Sequence, residues 1–480
     1  MILDPRDKVL IDGQLVEIGE GIAKSFSEGD RLIATPSSGL LLVPKAELDL
    51  VGSSVDEALD AFNALSKVDD VQIANFYSSF AKRFEDDEIF NKIRTANDRD
   101  VATASAAGRS TTRLVLSDSM RQDMIDALHI WMTLTTSSAA HETVSHDGWS
   151  IESHIAPLGV VGFVFEGRPN VFADATGVLR SRNVCVFRIG SDAFETAQAI
   201  MNLAVIPSLV DAGLPNGSVV LLPSKTHACA WALFSDRRLS LAVARGSGSS
   251  VALLGEIARQ HGIPASLHGT GGAWMVVSRV ADLDRLRSVV QFSLDRKVCN
   301  TLNTVVITRA NLGHNLQAVI DGVSKAASQR RTHAVLHIDA QVADAMTQIV
   351  VPNDCKIEKI EHESLGTEWE WENSPEVSIV VVDNTREAVA LFNRYSPSFV
   401  LSVLSDDDQE VEDAWLSSNA PFFGDGMTRW VDGQYALRKP ELGLSNWQNG
   451  RTFARGGILS GDSIFTVRYR VRQIDASIKR

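Results

Sequence analysis

Cys299 sits in Arg296-Lys297-Val298-Cys299-Asn300-Thr301-Leu302-Asn303, directly ahead of the β-branched run Thr304–Thr308. A thiol on a loop that enters a strand can be presented to a bound substrate. A nucleophile needs that exposure together with a lowered pKa. The competing reading of a lone cysteine is a small buried core residue. The chain has 4 cysteines, Cys185, Cys229, Cys299 and Cys355, widely spaced, with neither a Cys-x-x-Cys pair nor a Cys/His cluster. No metal site is therefore expected. Reduced thiols point to a cytoplasmic protein.

Strands and helices must carry that loop. Gly159–Phe165, Val184–Arg188, Gly217–Leu222 and Leu239–Ala244 read as buried strands, each followed by a helical stretch. The helices are expected over 171–179, 193–211, 225–235 and 249–261. Alternation at this spacing predicts an α/β fold with a parallel sheet wound on both faces. Ligands in such sheets bind beyond the carboxyl ends of the strands. A second run of the same kind starts near Ala265, with strands at Ala273–Val277, Val305–Thr308, Ala334–Ile338, Val377–Val382 and Phe399–Leu404. The helix over 281–294 leads into Cys299.

The first 50 residues read differently. Val9–Val16 forms a hairpin pattern around Asp12-Gly13, and Leu32–Ala34 and Leu40–Val43 are short apolar runs. They predict a small β appendage. Ala58, Leu59, Phe62 and Leu65 then recur at helical spacing, and further helices are expected over 71–96, 99–107 and 117–136. The closing Ser463–Val471 stretch alternates like a strand. The expected division is 1–50 appendage, 51–264 cofactor-binding domain with a helical layer, 265–430 catalytic domain, and 431–480 C-terminal return with an oligomerisation segment.

At 480 residues the chain can bury two or three cores. A net charge of −14 without a basic tract excludes a general nucleic-acid binder. No apolar run reaches the roughly 18 residues that span a bilayer, and Met1–Arg6 lacks a signal-peptide pattern, so no membrane partner is expected.

Several stretches together resemble the γ-glutamyl phosphate reductases (glutamate-5-semialdehyde dehydrogenases), a branch of the aldehyde dehydrogenase superfamily. Pro157-Leu158-Gly159-Val160-Val161-Gly162, Glu166-Gly167-Arg168-Pro169-Asn170-Val171 and Ala173-Asp174-Ala175 look like PLGVIG…ESRPNV-x-ADA. Leu179–Asn183 with Arg188–Ala193 is similar to LKSGN…RGGSEA, and Val298-Cys299-Asn300-Thr301-Leu302 to VCNALET. Arg245-Gly246-Ser247-Gly248 stands at a PRGG turn. Thr428–Gly433, Glu441–Ser445 and Ala454-Arg455-Gly456 resemble TRFTDGG, EIGIS and ARGP. These run in the family's order over roughly residues 55–470.

The resemblance implies an aldehyde dehydrogenase-like fold: two Rossmann-like parallel-sheet domains plus an oligomerisation segment, with the N-terminal β appendage added here. It implies NADPH-dependent reduction of an acyl phosphate, γ-glutamyl phosphate or an analogue, through a Cys299 thioester. The housekeeping enzyme of this kind serves proline biosynthesis. Asn170 matches the superfamily asparagine that forms the oxyanion hole with the cysteine's backbone N–H, and a helix cap after Pro169 is its alternative. Arg168 would meet an anionic substrate end or phosphate, or else form a structural salt bridge. Arg188 and Ser191 would lie beside the adenosine ribose, where a cation favours a 2′-phosphate and hence NADP(H). A solvated charge is the alternative for Arg188. Arg245 and Gly246 would meet pyrophosphate, or form a plain turn. Glu372 would hold the nicotinamide ribose, with Glu370 as rival and a solvated acidic loop as alternative. His268, Arg429 and Arg455 fall where the family binds substrate, with Asp432 beside them, and structural roles compete for each.

No GxGxxG fingerprint occurs. Leu267-His268-Gly269-Thr270-Gly271-Gly272-Ala273 stands where hydrolytic relatives carry a glutamate base, and it holds no carboxylate, which favours phosphate or another acyl acceptor over water. Gly167, Arg182, Ile189 and Lys297 depart from the family's serine, glycine, glycine and proline. The departures keep two alternatives open: an acyl-thioester reductase or aldehyde dehydrogenase of specialised metabolism, and an inactive scaffold. An amino-acid kinase would supply the acyl phosphate, and a homodimer or homotetramer is implied.

Overall fold

The computed structural model describes residues 3–134, 141–269, 271–280, 282–444, 447–448, 451–452 and 457–478. The chain forms two compact units. The first comprises Met1–Gly269, Gly433–Gly443 and Ile458–Arg480, and the second Thr270–Asp432 and Leu444–Gly457.

The first unit is built on a parallel sheet of β1 (Val160–Phe165), β2 (Val184–Ile189), β3 (Val219–Leu221), β4 (Leu239–Arg245) and β5 (Ala265–His268). The spatial order is β5-β4-β1-β2-β3. Every residue of β1 and β2 is buried, as a sheet covered by helices on both faces requires. The chain runs outward from β1 to β3 and then crosses back to β4. The order therefore reverses between β1 and β4, and Phe165 is paired there with Arg245. The carboxyl ends at such a reversal form a crevice. Glu166–Asn170 leave one end and Gly246–Gly248 the other.

Helices Lys45–Leu65, Asp70–Glu85, Asp87–Ala106 and Asp118–Thr133 form the expected helical layer with shifted boundaries. Asp69 and Gln72 make a reciprocal capping box, and Asp86 accepts from the N–H groups of Glu88 and Ile89, so the break falls at Asp86. No break follows residue 96. Asn97 is buried inside the helix, its Nδ2 donating to the Leu114 carbonyl and Thr196 Oγ1 and its Oδ1 accepting from Leu116 N–H. The apolar stretch Ser191–Asp211 is, by length and composition, the one described helix that could cross a membrane. Here Ala197, Ile200, Ala204, Val205 and Leu209 are buried in the core of the first unit. It widens to a π turn over Met201–Val205, ahead of Pro207, which has no N–H to donate.

The appendage forms two hairpins, Lys8–Ile11 with Gln14–Glu17 and Arg31–Thr35 with Gly39–Val43. Ile33, Leu41 and Val43 join the main core. Glu142–His146 and Trp149–Ala156 form a further hairpin about Asp147-Gly148, and Thr466–Gln473 pairs with its inner strand. The last segment is locked in by buried hydrogen bonds, Ser181 Oγ to the Gly461 carbonyl at 2.6 Å and Asn183 Nδ2 to the Ile464 carbonyl at 2.7 Å. A β-carbon on Gly461 would lie 2.1 Å from the Gly177 carbonyl carbon, so glycine is required there.

The second unit holds seven parallel strands: β6 (Ala273–Val277), β7 (Leu302–Thr308), β8 (Ala334–Ile338), β9 (Cys355–Lys359), β10 (Glu376–Val382), β11 (Val400–Leu404) and β12 (Phe422–Gly424). Their order is β9-β8-β10-β7-β6-β11-β12. Strand β7 is central and fully buried. It begins three residues after Cys299, so the loop carrying the thiol is fixed at one end by the stiffest part of the sheet.

Candidate active site

Helix Leu283–Phe292 ends at Ser293, and the chain then turns through Asp295–Thr301 into β7. Cys299 is half-buried on this turn. Backbone hydrogen bonds shape it: Gly272 N–H donates to the Cys299 carbonyl at 2.7 Å and Thr301 N–H to the Val298 carbonyl at 3.0 Å. Thr301 Oγ1 donates to the Arg296 carbonyl and accepts from Val298 N–H. Gly271 lies flat on the nucleophile candidate. A β-carbon there would fall 2.5 Å from Cys299 Cα and 2.8 Å from Cys299 Cβ. Gly271→Ala is therefore expected to displace the loop and slow iodoacetamide alkylation of Cys299 by about tenfold, measured by mass spectrometry of the labelled peptide.

The other thiols are disqualified by their surroundings. Cys185 is fully buried and its pKa is driven well up by burial. Burial pushes Cys229 and Cys355 up to about 12. None of the three presents a thiolate near neutral pH.

Arg429 is bound to the same turn. Its Nε meets Asp295 at 2.7 Å, and its Nη1 donates to Asn300 Oδ1. Asn300 Nδ2 in turn donates to the Val431 carbonyl, and Thr428 Oγ1 donates to the Asn300 carbonyl at 2.7 Å. The segment Thr428–Val431 thus holds the residue next to the cysteine. Glu372 is exposed, and its carbonyl accepts from Arg330. Glu368 is the acid that reaches the turn: Oε1 accepts from Lys297 and Oε2 from Gly271 N–H. Glu368, Glu370 and Glu372 alternate with tryptophans, so extended spacing alone puts all three on one face, and only burial separates them.

In the first unit, Asn170 stands at the carboxyl end of β1. Its side chain makes no capping bond to the short helix Val171–Ala175. Its Oδ1 is buried with no hydrogen-bond partner among the described residues. Such an atom costs about 1–3 kcal/mol unless something completes it. Arg168 is ion-paired with Glu166. His268 Nε2 lies 3.0 Å from Ser266 Oγ, and its ring packs on Gly443, where a β-carbon would fall 2.3 Å from Nε2. Arg455 lies outside the described residues.

The expected dinucleotide can be tested against β2 and β4. Helix Gly248–Gln260 starts right after β4, and its N-cap Ser247 makes no side-chain cap bond to its first N–H groups. Gly246 leaves room beside them, the nearest atom to an added β-carbon being 4.0 Å away. Arg245 is occupied: Nη1 donates to Asp174 and to the Glu441 carbonyl, both at 3.3 Å. Arg188 is buried rather than a solvated charge, and Nη2 donates to the Lys225 carbonyl at 2.7 Å while Nε has no hydrogen-bond partner among the described residues. Burial draws its pKa below the ordinary arginine value. Ser191 is exposed, with Oγ 3.4 Å from Asp192. Lys225, which sequence reasoning passed over, lays its ammonium over Phe194 at 5.0 Å. A turn with open glycine space, an uncapped helix start and a cationic pair at the next strand fit a phosphorylated dinucleotide.

No family model matches the chain. Curated relatives do. A gamma-glutamyl phosphate reductase of Afipia carboxidovorans is 29% identical over 397 residues, covering 79% of this chain and 86% of the relative. One from Rhodopseudomonas palustris (strain HaA2) is 28% identical over 401 residues, covering 79% and 85%. This chain is a homologue of the gamma-glutamyl phosphate reductases. Among solved structures, the gamma-glutamyl phosphate reductase of Thermotoga maritima superposes with a TM-score of 0.76 at 22% identity, covering 90% of this chain and 100% of that one. An acetylating aldehyde dehydrogenase of Geobacillus thermoglucosidasius gives 0.62 at 15% identity, covering 91% and 99%. The fold is aldehyde dehydrogenase-like, as the gamma-glutamyl phosphate reductase motifs predicted.

Proposed function

We propose that this protein is an NADPH-dependent reductase that converts γ-glutamyl phosphate, or a close analogue, to the semialdehyde with release of phosphate. The observation that carries the reading is Cys299, half-buried on a turn braced by Gly271 and Gly272 at the mouth of the central strand. Homology to reductases of this name supports it.

Cys299 Sγ attacks the acyl carbon, the carbon–oxygen bond to phosphate breaks, and phosphate leaves a thioester on the sulfur. The nicotinamide cofactor, when bound, supplies hydride to that carbon. Collapse of the resulting oxyanion breaks the carbon–sulfur bond, releases the aldehyde and restores the thiolate. Asn170 and the Cys299 N–H are the proposed oxyanion donors. The first N–H groups of helix Gly248–Gln260, with Gly246, Arg188 and Ser191, are the proposed cofactor contacts, and Arg245 braces that turn. Arg168, His268, Arg429 and Arg455 are the proposed substrate side, with Arg429 also fixing the turn through Asn300. The absence of a carboxylate over 267–273 leaves no general base there to activate water against the thioester.

The enzyme works in the cytoplasm on acyl phosphate made by an amino-acid kinase. It assembles as a homo-oligomer through the sheet of Glu142–His146, Trp149–Ala156 and Thr466–Gln473, which exposes Val144, Val467, Tyr469 and Val471. The test couples a glutamate kinase and ATP to NADPH oxidation. We expect NADPH loss and aldehyde formation to match one to one and to depend on the kinase. NADPH oxidation with acyl-CoA but not with acyl phosphate would overturn the assignment in favour of a thioester reductase. Failure to bind NADPH would overturn it in favour of a scaffold.

A further inference from the structure

Two residues ahead of Cys299, the Lys297 side chain is only 6% exposed and its ammonium meets Glu368 Oε1 at 2.5 Å. Glu368 is itself 13% exposed. Its second oxygen accepts the Gly271 N–H at 2.6 Å. One carboxylate therefore ties together a residue two positions ahead of the nucleophile in sequence and the glycine that lies against it in space. The carboxylate is held from behind. Asn303, on β7, donates to the Thr367 carbonyl at 2.8 Å and accepts from Trp369 N–H at 2.9 Å. The Trp369 indole N–H donates to Ser378 Oγ on β10 at 2.8 Å. Glu368 is thus clamped on both sides to the two central strands.

A buried ion pair is a poor source of stability, because desolvating both charges offsets most of their attraction. Breaking it is costly, because one charge is left without its counterion. A pair of this kind beside a nucleophile acts on the nucleophile's own charge. Other charged side chains on the turn and on segments bonded to it include Asp295, Arg296, Arg330, Glu370, Glu372, Arg429 and Asp432. Arg429 and Asp295 pair at 2.7 Å, and Glu370 stands 4.0 Å from the Lys297 ammonium while 73% exposed. Arg330 donates to the Asp295 carbonyl at 2.7 Å.

We propose that Lys297 and Glu368 are positioning residues that hold the Cys299 turn and balance charge on it, so that the thiolate forms at working pH. The proposal rests on Cys299 being the nucleophile. Lys297 takes the place of a family proline, so a backbone constraint is replaced by an electrostatic one. Removing the ammonium leaves the Glu368 carboxylate to oppose a second negative charge. Removing the carboxylate leaves the ammonium to favour it.

The test is the pH dependence of iodoacetamide alkylation of Cys299 in the full chain, between about pH 5 and about pH 10, followed peptide by peptide. Lys297→Met is expected to raise the apparent pKa by about one unit, and Glu368→Gln to lower it. The double variant should return close to the wild-type value. A loop that merely loosens would move all three in one direction. Lys297→Arg should keep the wild-type profile, and it serves if Lys297→Met does not fold. Unmoved or same-sign profiles with a reactive Cys299 overturn this proposal alone. A wild-type Cys299 that reacts no faster than Cys355 removes the nucleophile and this proposal with it.

Discussion

Cys299→Ala is expected to abolish acyl-phosphate reduction, with kcat falling by more than about 10,000-fold. The chain has no substitute. Cys185 is fully buried, and burial holds Cys229 and Cys355 up to about 12, so none can take over the attack. The fold should survive. Cys299 is half-buried on a turn that backbone bonds, Thr301, Asn300 and Arg429 also hold, so its loss is expected to cost no more than about 1 kcal/mol. Steady-state kinetics and thermal unfolding of the same preparation check both halves. NADPH binding should also be unchanged, since the turn fitted to the dinucleotide belongs to other strands. Retained reduction by the alanine variant would end the thioester mechanism.

Asn170→Ala is the second large effect. A donor to a developing oxyanion is worth about 100- to 1,000-fold in kcat, and that is the expected loss. Stability is expected to move the other way or not at all. Asn170 makes no capping bond, and its Oδ1 is buried without a hydrogen-bond partner among the described residues. Deleting it removes a group that the folded chain leaves unsatisfied, worth about 1–3 kcal/mol. Activity and stability should therefore part company. A fall in melting temperature large enough to account for the lost activity would make Asn170 structural and sink the assignment.

The parallel sheets were legible in the sequence because strands buried on both faces are written as unbroken apolar runs, such as Val160–Phe165 and Val305–Thr308. The hairpin at Asp12-Gly13 was legible for a different reason, the turn chemistry of the pair itself. The same signal at Asp147-Gly148 passed unread, because Glu142–His146 is exposed throughout and shows no apolar alternation. Cys299 and Asn170 could be named from local motifs. The partners around Cys299 could not. Glu368 is 71 positions from Lys297 and 97 from Gly271, and nothing in a run of alternating acids and tryptophans says which carboxylate turns inward. For Arg188 the alternative of a solvated charge falls away, because the folded chain buries it against the Lys225 carbonyl, a contact 37 positions distant.

The first unit is discontinuous, and this has a consequence for synthesis. The ribosome delivers residues 270–432 before residues 458–478, while Ser181 and Asn183 wait for the Gly461 and Ile464 carbonyls. Until then the two side chains have only the local acceptors, the Val178 carbonyl for Ser181 Oγ and Ser181 Oγ for Asn183 Nδ2, and the glycine seat at Gly177 stands open. Nascent chains stalled before residue 458 should accordingly be protease-sensitive around residues 176–183, and emergence of residues 458–478, rather than of the apolar strands, is expected to be the moment at which that unit becomes resistant.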